Sequence, residues 1–83
     1  MPEGVIINAK KISIGTKQTL KAVEKDQAKK VFIAADAEPH VIKPISQLCK
    51  AKAIPVEVVQ SMTALGKACG IEVGCAAAAI LEE

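Results

Sequence analysis

The chain has 83 residues, 51% of them apolar, with eleven lysines, no arginine, nine acidic residues and a net charge of +2. A chain of this length buries only about 60–65% of its unfolded surface, so residues 1–83 form one domain and not two. The apolar content excludes a disordered tail, no apolar run reaches the roughly 20 residues that span a bilayer, and the single aromatic, Phe32, excludes modules that stack several bases on rings.

In chain order, Glu3 to Lys10 reads as a short helix with Val5 and Ala9 on one side. Pro2, Glu3 and Gly4 offer neither the basic start nor the small-residue cleavage site of a secretion signal, so a cytoplasmic protein is expected. Ile12-Ser13-Ile14 alternates as a strand and stops at Gly15. Thr16 reads as a helix N-cap. From Lys17 to Lys25 the pattern is amphipathic, with Thr19, Leu20, Ala22 and Val23 on one side and Lys17, Gln18, Lys21, Glu24 and Lys25 on the other. Val31 to Ala35 is a continuous apolar run, the mark of a central strand. A loop follows from Asp36 to Pro39. Pro44 disfavours a helix interior, so a single turn over Pro39–Lys43 and a separate helix from Pro44 to about Lys52 are expected, burying Ile45, Leu48, Cys49 and the Lys52 stem. Pro55 opens a strand over Val56–Val59. Ser61 caps a helix holding Met62, Leu65, Ala68 and Cys69, with Gly70 as its stop. Ile71–Gly74 is a loop, and Cys75–Leu81 a last buried strand. This alternation is an α/β pattern: a three-layer α/β/α sandwich on a four-stranded mixed sheet.

Charge is unevenly placed. Between Asn8 and Lys30 lie seven lysines and two acids, a local balance of +5, while the rest carries four lysines against seven acids, or −3. A basic front half suits an anionic partner, although a merely solvated lysine-rich face has the same composition. Without arginine, lysine acts on phosphate or guanine as a point charge and not as a fork. The three cysteines, Cys49, Cys69 and Cys75, form no C-x-x-C pair and the only histidine is His40, so no metal or other cofactor is expected. Their small, apolar neighbours fit reduced, buried thiols.

Three constellations could carry function. Gly15-Thr16-Lys17-Gln18-Thr19-Leu20-Lys21 sits at a strand-to-helix junction. There the first helical N–H groups and the helix dipole favour an anion. Lys17, Gln18 and Lys21, at i, i+1 and i+4, make one polar platform whose amide and ammonium groups can address base edges or phosphate. The bland alternative is a capped helix with a basic solvated side. It is not a P-loop, because the upstream glycine of that motif is absent and Lys11 stands near its place. Asp36-Ala37-Glu38-Pro39 follows a central strand. Asp36 and Glu38 could pair as catalytic carboxylates, but a turn with capping acids is the commoner meaning of such a stretch. Gly70-Ile71-Glu72-Val73-Gly74 places two aliphatics in a glycine-bracketed loop, as core filler or as an apolar contact surface.

Taken together, Ile14 to Lys21, Ala35 to Pro39, Leu48-Cys49 with Ile54-Pro55-Val56, and Ala64-Leu65-Gly66-Lys67-Ala68-Cys69-Gly70 resemble the kink-turn RNA-binding proteins. That family includes archaeal and eukaryotic ribosomal and box C/D proteins and small bacterial ribosomal-protein-like relatives of the YbxF type. The resemblance spans Ile14 to Ile80. It implies a non-enzymatic, ribosome- or structured-RNA-associated protein that binds a sharply kinked RNA with tandem sheared G·A pairs; a monomer is the default expectation, with neither DNA nor membrane as partner. It assigns guanine-edge reading to Gly15, Lys17, Gln18 and Lys21, with Thr16 facing the same RNA. Lys17 and Gln18 stand where the family pattern has Asn and Glu. Glu38 and Ile42 match positions that hold a nucleotide flipped from the kink, and Ile71, Glu72 and Val73 the loop that closes over it. Val73 and Gly74 make that loop more apolar and looser than the Arg- or Pro-bearing loop of other relatives. Two other readings stay open from the residues: a small protein–protein interaction module without RNA, and an enzyme using Asp36 and Glu38 or Cys69, which lacks a nucleophile–base pair or metal set.

Overall fold

The structure is a computed structural model and describes residues 11–82. The helix expected over Glu3–Lys10 lies outside those residues. The elements run β1 (Lys11–Ile14), α1 (Thr16–Glu24), β2 (Lys30–Ala34), α2 (Pro39–Ala51), β3 (Val56–Val59), α3 (Met62–Ala68) and β4 (Ala77–Glu82). The sheet order is β1-β4-β2-β3. β4 is antiparallel to both of its neighbours, whereas β2 and β3 are parallel, so the sheet is mixed.

Side-chain alternation on the two central strands builds a core on each face. Phe32, Ala34, Ala78 and Ile80 point to one face and pack with Leu65 and Ala68 of α3. Val31, Ile33, Ala77 and Ala79 point to the other and pack with Ala22 and Val23 of α1 and Ile45 and Cys49 of α2. Burial on both faces explains why β2 and β4 read as unbroken apolar runs. Helices on both sides of the sheet make this the three-layer α/β/α sandwich. The lone ring, Phe32, is fully buried. Lys30 ties the parallel strands together through Glu57 at 2.9 Å and lies 5.2 Å from the Phe32 ring centre.

Two local expectations need correction. α2 runs unbroken from Pro39 to Ala51, with Pro44 inside it. Pro39 takes the first helical position, where its fixed φ fits and no N–H is required. Pro44 deprives the His40 carbonyl of its i+4 donor, but both residues are exposed and water can take that place. The N-cap of α1 is Gly15 and not Thr16, which is the first helical residue. Gly15 adopts φ 100°, a conformation open to glycine, and among the described residues no side chain caps the helix.

The three helices of the described residues end alike. The N–H two residues past each C-cap returns to the third-last carbonyl: Gln27 to Ala22 at 2.8 Å, Ile54 to Cys49 at 2.9 Å, and Ile71 to Gly66 at 3.0 Å. The residues that turn with positive φ are Asp26, Ala53 and Gly70. The Lys52 ammonium binds Asp26 Oδ1 at 2.8 Å and the Glu24 carbonyl at 3.2 Å, closing the end of α1 against the end of α2.

Candidate nucleic-acid interface

The strand ends bring the candidate segments to one edge of the sheet. Gly15 N–H donates to the Ala77 carbonyl at 2.9 Å, Ala34 N–H to that of Ala76 at 2.9 Å, and Ala35 N–H to that of Val59 at 2.8 Å. The carboxyl ends of β1, β2 and β3 therefore meet the start of β4. The segments 15–21, 35–42, 60–62 and 70–76 all emerge there, the position where open α/β sheets hold ligands.

On α1, Lys17, Gln18 and Lys21 are exposed, Thr16 is half-buried and Thr19 is buried. Among the described residues neither Lys17 nor Lys21 takes part in an ion pair. The first turn carries no acid. Its N–H groups and both ammonium groups are thus available to an anion from the same side. A crevice of about 240 Å³ links Thr16, Lys17 and Leu20 to His40, Val41, Pro44 and Ile45, so the start of α1 lies beside the start of α2.

Glu38 is the N-cap of α2, makes no side-chain cap bond, and pairs instead with His40, Oε2 to Nε2 at 3.2 Å, both largely exposed. Ile42 is half-buried and packs against both cores. Asp36 has a structural partner of its own: its Oδ1 accepts the Met62 N–H at 2.8 Å. With Ser61 Oγ accepting from Ala64 N–H at 3.0 Å, the start of α3 has two side-chain acceptors.

The 70–74 loop returns over α3. Ile71 N–H donates to Gly66 and Cys75 N–H to Met62, each at 3.0 Å. Gly66 is buried, and a Cβ on it would fall inside the contact radius of the Val73 carbonyl oxygen. Ile71 packs half-buried at the margin of the core, while Glu72 and Val73 are exposed, Val73 to 69%. The loop thus presents an aliphatic side chain to solvent at the end of the sheet where the 35–42 segment also emerges.

The thiols are directed inward. Cys75 Sγ donates to the Ala77 carbonyl at 2.9 Å. A hydrogen bond to Cys75, with burial, pushes the Cys69 thiol well above its ordinary value, and burial also raises Cys49. His40 is engaged by Glu38 and not by a cysteine. Among the described residues no cluster of three or more His, Cys, Asp or Glu could hold a metal ion, and no helix is long and apolar enough to cross a membrane.

The profile of the ribosomal protein L7Ae/L30e/S12e/Gadd45 family matches residues 5–83. The chain belongs to this family. An RNA-binding protein of Bacillus pumilus (strain SAFR-032) is 47% identical over 76 residues, which is 92% of this chain and 93% of that protein. The RNA-binding protein YbxF of Geobacillus stearothermophilus is 45% identical over 76 residues, with the same coverage of 92% and 93%. The 15.5kD RNA binding protein of Giardia lamblia has the same fold, with a TM-score of 0.88 at 30% identity, covering 99% of this chain and 72% of that one.

In this L7Ae/L30e-type chain, several supports of the site escape sequence reasoning. Asp36 joins the β2–α2 loop to α3, and Met62 anchors Cys75. These contacts join residues from separate loops, and local patterning cannot display them. Gly66 did leave a signal. A glycine inside a helix costs about 1 kcal/mol relative to alanine, so its presence points to a close approach by another backbone.

Proposed function

We propose that the chain is a non-enzymatic RNA-binding protein that captures kink-turn RNA, working as a monomer in the cytoplasm on ribosomal or another structured RNA. The observation that carries this reading is the uncapped, acid-free start of α1, with Lys17, Gln18 and Lys21 exposed on one side and the Glu38–Ile42 and Ile71–Val73 segments at the same sheet edge. Lys17 and Lys21 donate to guanine O6 and N7 or to phosphate, Gln18 reads a base edge with its amide, and Gly15 and Thr16 let the RNA backbone come close. Glu38, Ile42, Ile71, Glu72 and Val73 surround the nucleotide that the kink turns out. Aliphatic contact there takes the part that aromatic stacking plays in other modules. The relatives named as RNA-binding proteins support the reading.

The test is the double variant Lys17→Glu, Lys21→Glu titrated with a kink-turn RNA. Replacing attraction by repulsion at each phosphate or guanine weakens binding by about 1–3 kcal/mol, so affinity falls about thirtyfold or more for the pair. Wild-type affinity falls only modestly with salt, because few cationic groups on the RNA release few counterions. A double variant that binds as tightly as wild type removes α1 from the interface.

A further inference from the structure

β3 is an outer strand of the sheet, and among the described residues it pairs with β2 alone. The phase of this parallel ladder is set by Val31 N–H to the Pro55 carbonyl at 3.0 Å and Ala35 N–H to the Val59 carbonyl at 2.8 Å. Alternate residues of a parallel strand address the same neighbour. Residues 55, 57 and 59 therefore face β2, and the N–H and C=O groups of Val56 and Val58 face the open edge. The same two side chains are 36% and 58% exposed, which is anomalous for large aliphatics in a sheet.

The register sets Val56 beside Val31 and Val58 beside Ile33, on the face that α2 covers. There Ile33, Pro39 and Ile42 floor an open groove of about 370 Å³, rimmed by Lys43, Ser46, Gln47 and Lys50. Both rim lysines are exposed, neither has an ion-pair partner among the described residues, and no acid lines the groove. The register sets Val58 next to Ile33 of the groove floor, so the unpaired amide edge adjoins the groove through Ile33, with the two lysines on the α2 side.

We propose that this edge docks an extended segment of another protein, which adds to β3 as a fifth strand with aliphatic side chains on the groove and carboxylates flanking them. The main-chain groups of Val56 and Val58 supply the hydrogen bonds, Val56, Val58 and Ile33 the apolar contact, and Lys43 and Lys50 the choice of an acidic partner. A second copy fits poorly. Pairing β3 with β3 about a two-fold axis keeps both α2 helices on one face and sets four lysines around the joined groove with no acid to match them. RNA phosphates could meet the rim lysines, but the alternating N–H and C=O groups of the edge match the repeat of a peptide backbone and not that of a sugar–phosphate one. The inference shares Ile42 alone with the RNA reading; the β3 edge and the rim lysines are not among the residues assigned to RNA, so the two readings can fail separately.

The test is an NMR titration of the ¹⁵N-labelled full chain. The probe is a capped decapeptide of alternating valine and threonine with two glutamates at each end, and its control carries lysines at the ends. The Val56 and Val58 amides should shift saturably and exchange more slowly with solvent. The acidic peptide should bind about five- to tenfold tighter than the control, as expected for two screened charge pairs. Val58→Lys should abolish the shifts and leave the rest of the spectrum intact, and Lys43→Glu with Lys50→Glu should reverse the preference. Absence of saturable shifts at Val56 and Val58, equal affinity for the two peptides, or shifts confined to residues 15–21 would overturn the proposal. So would shifts of the β3 amides on dilution of the free chain, which would assign the edge to a second copy, or on addition of RNA alone.

Discussion

Adding a single methyl group at Gly66 tests whether the 70–74 loop belongs to the working surface. The Cβ of Gly66→Ala would lie within contact of the Val73 carbonyl oxygen, 3.1 Å from its carbonyl carbon and 3.4 Å from Gly74 Cα. All three atoms are backbone, so no side-chain rotation relieves the overlap. α3 is held at its start by Ser61 and Asp36, and the loop is held to it by the Ile71 and Cys75 N–H groups. The loop is the part that yields, by roughly an ångström, at a cost of about 1–3 kcal/mol. The helix recovers about 1 kcal/mol from replacing glycine by alanine. Net destabilisation is therefore at most about 2 kcal/mol. With about 4–8 °C in Tm per kcal/mol for a domain of this size, the protein stays folded at 25 °C. RNA affinity suffers more, because Ile71 and Val73 move with the loop. Thermal unfolding and RNA titration of the same variant should show a small Tm loss and a drop in affinity of about tenfold or more. A raised Tm with unchanged affinity would refute both the close seating of the loop and its place in the interface.

Other outcomes follow from the same contacts. Asp36→Ala removes the acceptor for Met62 N–H and should lower stability by about 1 kcal/mol and weaken RNA binding, while Asp36→Asn keeps an oxygen there and should restore most of both; identical behaviour of the two variants in thermal melts would contradict the assignment. Thr19 Oγ1 is fully buried and has no hydrogen-bond partner among the described residues, so Thr19→Val should raise stability by about 1 kcal/mol in a denaturant titration, and a loss would mean that the hydroxyl is satisfied. Burial raises the Cys49 thiol from its ordinary value of 9.0, so above that pH the unfolded chain gives up its proton before the folded one. The unfolded state then binds fewer protons, and stability falls as pH rises. Melts across the alkaline range should show this decline, made shallower by Cys49→Ala; an equal slope in the variant would contradict it.

The architecture was legible because its two central strands are buried on both faces. Val31–Ala34 and Ala77–Ile80 had few alternatives once helical patterns flanked them. Helix boundaries were less legible where the chain departs from residue preferences. Asp26 and Ala53 take the left-handed turn usually given to glycine, and of the three stops only Gly70 announced itself. Pro44 suggested a break that exposure makes unnecessary. In the site, helical spacing alone places Lys17, Gln18 and Lys21 together on one exposed face. The meeting of that face with Glu38, Ile42 and Ile71–Val73 depends on hydrogen bonds between strand ends, such as Gly15 to Ala77 and Ala35 to Val59. The open β3 edge was invisible for a similar reason. Val56 and Val58 look like core residues until the sheet order leaves them on the outside.

The central claim is recognition of a kinked RNA, and its most direct measurement is the affinity for two RNAs of equal length at physiological salt. One carries a kink-turn with tandem sheared G·A pairs, and in the other Watson–Crick pairs replace them and straighten the duplex. The kinked RNA is expected to bind about a thousandfold tighter, the usual lower bound between specific and non-specific binding. Equal affinities would contradict the claim, leaving Lys17, Gln18 and Lys21 as a basic face without a reading function.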